Sequence, residues 1–180
     1  MNNKGFQIGQ IALFTLLISG CIARENAHFN ATEAAKARVE LAMGYLQSGN
    51  FIQAKRNLDK ALTHDKNYYL SYLVLARLNQ LQNDQTHAQS AYLTALKLAP
   101  KQGDVHNNYA TFLCSQGKYP QAFAHFDEAL NAPHYYQQND TLENIYLCAN
   151  QAKEQNRANQ ALEKLRARDS QRAEKLSKNK

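Results

Sequence analysis

The sequence predicts an all-α fold, a superhelix of about four helix-turn-helix units behind a short N-terminal segment removed on export. Three observations predict it. The 180 residues include only 3 Pro and 7 Gly, while Ala, Leu and Gln, which lose little side-chain freedom in a helix, recur throughout. Residue types repeat every 34 positions: Gly49, Asn83 and Gly117; Ala54, Ala88 and Ala122; Leu58, Tyr92 and Phe126; Ala61, Ala95 and Ala129; Ala42, Ala76 and Ala110; Leu41, Leu75 and Tyr109. A fixed period of this length marks stacked supersecondary units, each too small to bury its apolar face alone.

Residues 1–20 read as a cleaved signal peptide. Lys4 supplies the positive charge and residues 8–18 the apolar run, which is too short for a membrane-spanning helix of about 20 apolar residues. Ile18-Ser19-Gly20-Cys21 resembles the lipobox of bacterial lipoproteins, whose cysteine takes a diacylglyceride and, after cleavage, a further acyl chain. The resemblance makes Cys21 the lipidation site and the membrane a partner, since more than one chain, at about 0.8 kcal/mol per buried CH₂, anchors stably. The residue after the cysteine is Ile22 rather than the Asp that holds such proteins at the inner membrane, which implies the periplasmic face of the outer membrane. A plain secretory signal with an accidental cysteine is the competing reading. The whole chain carries +6; cleavage leaves 20 basic and 15 acidic residues, or +5. Such a balance can mean nucleic acid but equally suits a protein held near an anionic surface; no nucleic-acid partner is expected.

A lipidated cysteine and tether (21–34) lead into repeats at 35–68, 69–102 and 103–136. Helices are expected at 31–48, 51–64, 69–82, 85–98, 103–116, 119–131, 141–155 and 158–176. The Gly/Asn column ends each first helix in the left-handed region, the Ala columns let paired helices approach closely, and the large apolar column fills the space between hairpins. Period and residue types resemble the tetratricopeptide repeat. A fourth, degenerate unit at 142–176 follows an insertion at 137–141. There Ala149, Asn156, Ala161 and Leu165 continue the columns at a step of 39, and Arg168 ends them, as suits a terminal cap facing water. Asn30 with Glu33, and Asp140 with Glu143, read as capping boxes. Residues 167–180, with their tail at 177–180, read as a fraying end.

Cys114 and Cys148 lie on first helices of neighbouring hairpins in an exported segment, where disulfides persist. A bridge is the favoured reading and needs Cα atoms within about 7 Å; two buried thiols are the alternative. His28, His64, His87, His106, His125 and His134 show no paired-ligand spacing, so they read as surface or interface residues and no metal is expected. No nucleophile elbow, phosphate-cradling loop or zinc-protease motif is present. The sequence therefore predicts neither an enzyme nor a cofactor or small-molecule site.

The first helices of such arrays line a concave groove. In this register it includes Val39, Met43 and Gln47; Leu73, Arg77 and Gln80; Asn107, Thr111 and Ser115; and Tyr146 and Asn150. Its apolar members favour a helix or an extended apolar peptide. The positions that in a related subclass grip a peptide carboxylate hold Val39, Met43, Val74, Asp104 and Asn108, so that clamp is absent.

Residues 107–130 read NNYATFLCSQGKYPQAFAHFDEAL. After a loop with Pro133, Tyr135 and Tyr136 comes LENIYLCAN at 142–150. These segments resemble the PilF/PilW family of type IV pilus biogenesis lipoproteins, departing from it where Ala110 and Tyr146 replace family glycines and in stopping after four units. The resemblance implies an outer-membrane pilotin that binds secretin subunits through the groove and promotes their assembly into a multimeric pore. Two alternatives stand beside it: a general periplasmic scaffold recruiting cell-wall or outer-membrane assembly proteins, and an enzyme or regulatory subunit with an unrecognised site.

Overall fold

The computed structural model describes residues 30–178. The signal segment, Cys21 and most of the tether lie outside the described residues. All regular structure among them is helical: α1 (Ala31–Gln47), α2 (Phe51–His64), α3 (Tyr69–Leu81), α4 (Gln85–Leu98), α5 (Gly103–Ser115), α6 (Tyr119–Asn131), α7 (Gln138–Gln151), α8 (Gln155–Arg168) and α9 (Ser170–Lys178). None of these is long and apolar enough to cross a membrane. Each odd helix from α1 to α7 pairs with the even helix after it, the hairpins stack in chain order, and α9 packs on α8. This is a tetratricopeptide-repeat superhelix.

The turns inside the hairpins share one construction. Gly49, Asn83, Gly117 and Lys153 have φ of 73°, 62°, 72° and 59°. The residue after each returns a hydrogen bond five positions back, as from Asn50 N to Tyr45 O (2.8 Å) and from Glu154 N to Ala149 O (2.8 Å). This is the Schellman arrangement, which satisfies carbonyls left open at a helix end. Asn50 and Asp84 then cap the following helices through their side chains.

The repeat columns form the core. Every member of the three alanine columns (Ala42, Ala76, Ala110; Ala54, Ala88, Ala122; Ala61, Ala95, Ala129) is 0% exposed, so a methyl group is all the space between paired helices admits. Leu58, Tyr92 and Phe126 fill the gaps, and Tyr92 packs on Tyr109 and Phe112 with ring centroids 5.5 and 5.3 Å away.

The fourth hairpin departs from the sequence reading. Its left-handed turn falls on Lys153, 36 residues after Gly117, rather than on Asn156. Ala158 therefore takes the place of Ala122, Leu165 that of Ala129, and Tyr146 that of Ala110. The stretch 137–141 is mostly helical, since α7 begins at Gln138. Asp140 and Glu143 form no capping box; both carboxylates bind Arg172 of α9 instead. Nor do residues 167–178, the described part of the C-terminal stretch, fray or continue one long helix. The chain breaks at Asp169, which caps Arg172 N (3.0 Å), and α9 folds back to bury Ala173 beside Leu142 and Leu165.

The link between the third and fourth hairpins is set by Gly103. A Cβ there would collide with the Tyr135 ring; without one, the ring lies on the start of α5 and its hydroxyl is 2.9 Å from Thr141 Oγ1.

Candidate functional site: a groove on the first helices

An open groove of about 570 Å³ runs over α1, α3 and the start of α5, lined by Met43, Leu46, Gln47, Leu70, Leu73, Val74, Arg77, Leu81, Asp104, Asn108 and Gln137. Its apolar wall is solvent-facing: Met43 is 47% and Leu81 42% exposed. Exposed large apolar side chains that converge in one concavity are the usual mark of a binding surface.

The helical period explains which residues reach it. Positions 34 or 36 apart, Met43, Arg77, Thr111 and Leu147, are all exposed along the first helices, and so are Gln47, Leu81, Ser115 and Gln151. Of the residues the sequence placed in the groove, Met43, Gln47, Leu73 and Arg77 line it together. Thr111 and Ser115 lie farther along the same face, each hydroxyl bonded to its own helix, at Asn107 O (3.0 Å) and Phe112 O (2.7 Å).

Five placements are corrected. Val39 is 2% exposed and belongs to the core of the first hairpin. Gln80 is one residue out of register, about 100° around the helix; its Oε1 accepts from Tyr92 OH (2.6 Å), and Leu81 takes the groove position. Asn107 is buried and accepts from Asn144 across the hairpin boundary (3.1 Å). Tyr146, in the close-packing column, is 2% exposed, with a hydroxyl that has no partner among the described residues. Asn150 is half-buried and bonds back to Tyr146 O (2.8 Å). The last two errors follow from the step of 39; the observed 36 brings Leu147 and Gln151 to the surface instead.

Sequence reasoning left Leu46, Leu70, Leu81 and Gln137 out of the groove. Asp104, seen only as a missing clamp position, turns out to be part of the wall. Its carboxylate accepts from Tyr69 OH (3.2 Å) and Val105 N (2.9 Å). Burial pushes its pKa up, against the lowering effect of those two donors and of its own main-chain N–H, and burial followed by Asp104's charge pushes the Tyr69 phenol up.

Two further side-chain pairs lie outside the groove. Cys114 and Cys148 are joined Sγ to Sγ, with Cα atoms 5.8 Å apart, linking α5 to α7. His106 and His125 meet Nδ1 to Nδ1 at 3.0 Å, while His106 Nε2 lies 2.9 Å from Pro100 O.

Known proteins share both sequence and fold with this chain. A tetratricopeptide-repeat family model matches residues 91–124, the length of one period. An uncharacterised protein of Haemophilus influenzae Rd is 52% identical over 165 residues, covering 92% of each chain. The type IV pilus assembly protein PilF of Pseudomonas aeruginosa PAO1 is 31% identical over 159 residues, covering 86% of this chain and 63% of PilF. The crystal structure of PilW, a widely conserved type IV pilus biogenesis factor, matches with a TM-score of 0.69 at 28% identity, over 74% of this chain and 61% of PilW. A solved structure of P. aeruginosa PilF matches with a TM-score of 0.73 at 32% identity, over 78% of this chain and 63% of that one. The chain thus spans less than two thirds of the pilus proteins it matches. In sequence and in fold it is a PilF/PilW-like tetratricopeptide-repeat protein.

Proposed function

We propose that this protein is a non-enzymatic adaptor of type IV pilus biogenesis, anchored through lipid on Cys21 at the periplasmic face of the outer membrane. It binds secretin subunits through the groove and promotes their assembly into the outer-membrane multimer. The observation that carries the reading is the apolar groove wall on the first helices, where exposed Met43 and Leu81 flank half-buried Leu46 and Leu70, together with similarity to PilF and PilW. The lipid supplies membrane delivery and the groove supplies capture. Holding both on one chain raises the local concentration of secretin at the bilayer.

The test is deletion of the gene, followed by assay of the heat- and detergent-resistant secretin multimer in membranes. Wild type should restore the multimer. Cys21→Ala, which removes the anchor, and Met43→Ser/Leu81→Ser, which removes exposed apolar area without opening the core, should not. An unchanged multimer with normal pili in the deletion strain would sink the reading and leave a scaffold for other envelope proteins.

A further inference from the structure

The groove is apolar along one wall and charged at two separate points. Asp104 comes from the first turn of α5 and Arg77 from the middle of α3. Neither has an ion-pair partner among the described residues, and Arg77 has no part in the shift of Asp104. The two differ in setting. Arg77 is exposed, so water already solvates it, whereas Asp104 is half-buried and is met by Tyr69 OH and the main-chain N–H groups of Val105 and of Asp104 itself, with no cation among its partners. Nearby Asn108 gives its amide to the Asp104 main-chain carbonyl (2.8 Å) and offers the carboxylate nothing. A partly desolvated carboxylate with open acceptor positions gains most from an incoming cation, because charge-assisted bonds are the strong ones and the dielectric there is below that of water.

The repeat sharpens the point. Asp104 lies 34 residues after Leu70, in the same column and in the same groove. One position thus gives an apolar contact from the second hairpin and an acid from the third. A segment laid across both meets oil and then negative charge.

We infer that the groove selects an apolar peptide segment carrying one lysine or arginine, whose side chain reaches Asp104 while its apolar residues cover Met43, Leu46, Leu70 and Leu81. This deepens the adaptor reading and rests on the groove being the capture site. It makes Asp104 the residue that sets specificity, with the apolar wall supplying most of the affinity.

The test uses the full chain carrying Cys21→Ser, free of lipid, and three fluorescein-labelled 15-residue peptides. They share one leucine-rich face and differ at a single central position, which is Lys, Gln or Glu. Fluorescence anisotropy should show the Lys peptide binding about tenfold more tightly than the Gln peptide, and the Glu peptide more weakly still. Asp104→Asn, close in shape, should bring the three together, and Asp104→Lys should reverse their order. Met43→Ser/Leu81→Ser should weaken all three alike. If the peptides bind equally and only the double serine variant weakens them, the groove stands and the selection by Asp104 is overturned. If no peptide binds, or the double variant changes nothing, both the groove and the inference fall. Circular dichroism melts of each variant separate a binding loss from a folding loss.

Discussion

Where His106 meets His125, one proton serves two rings. His106 donates Nε2–H to Pro100 O, which leaves its Nδ1 bare and requires His125 Nδ1–H to be the donor between them. His125 is held below the ordinary histidine value, by burial first and by the neighbouring His106 second, with Glu128 opposing. A base whose folded pKa is lowered contributes its full stability above the unfolded value and loses it as pH falls. The loss should begin near pH 6.5 and end at the lower folded value. The melting temperature should therefore be flat above neutrality and fall in that window, and His125→Gln should remove the slope. At Gly103 the limit is steric. Gly103→Ala puts a methyl group into the Tyr135 ring, with an expected cost of about 1–3 kcal/mol in urea unfolding, as for other overpacked sites. An unchanged midpoint would show that the 133–137 loop is free to shift.

Within single elements, the four Schellman turns use unequal residues for one geometry. Gly49 and Gly117 adopt positive φ at no steric cost, whereas Lys153 holds a Cβ there. Lys153→Gly should raise stability by up to about 1 kcal/mol, read as a higher urea midpoint; a lower one would mean the lysine side chain makes a contact worth more than the strain. α9 is the other test at this scale. Besides its buried Ala173, it is held by Arg172, which reaches Glu143 and Asp140 of α7. Each surface pair is worth little alone, but this guanidinium bridges two carboxylates on another helix. Arg172→Gln should speed amide hydrogen exchange in α9 and leave α1–α4 unchanged. Equal protection in both proteins would assign the docking of α9 to its apolar contacts.

Across the whole molecule, stability in a stacked array is a sum of hairpins and their interfaces. The column of Leu41, Leu75 and Tyr109 shows it: Leu41 is 50% exposed, Leu75 partly buried and Tyr109 6% exposed. The residue at this position is covered by the hairpin before it, and among the described residues none precedes α1. The Cys114–Cys148 bridge ties the third interface by a covalent link with a sequence separation of 34. In the chain-entropy account a loop of that length is worth about 3–4 kcal/mol. Cys114→Ser/Cys148→Ser should lower stability by about that amount, and reductant should affect wild type but not the double variant. A wild type indifferent to reductant would show that the bridge contributes nothing.

The period of 34 by itself determined the all-α class, the first three hairpins, three of the four left-handed turns and the nine alanines between paired helices. Each of these depends on residues close in sequence or on strict repetition. The groove was legible in part, because 34 residues return the chain to the same helix face, so Met43 pointed to Arg77 and Thr111. It failed where one residue turned the helix by about 100°, as at Gln80 and Leu81, and where the period changed. Only the tertiary structure decided the fourth hairpin. There Tyr146 stands in an alanine column, the step becomes 36, and Asp140 and Glu143 bind an arginine 32 and 29 residues away rather than a helix end. The pairing of His106 with His125 and the half-burial of Asp104 were likewise settled by packing. They arise from groups on different helices, and no spacing along one helix records them.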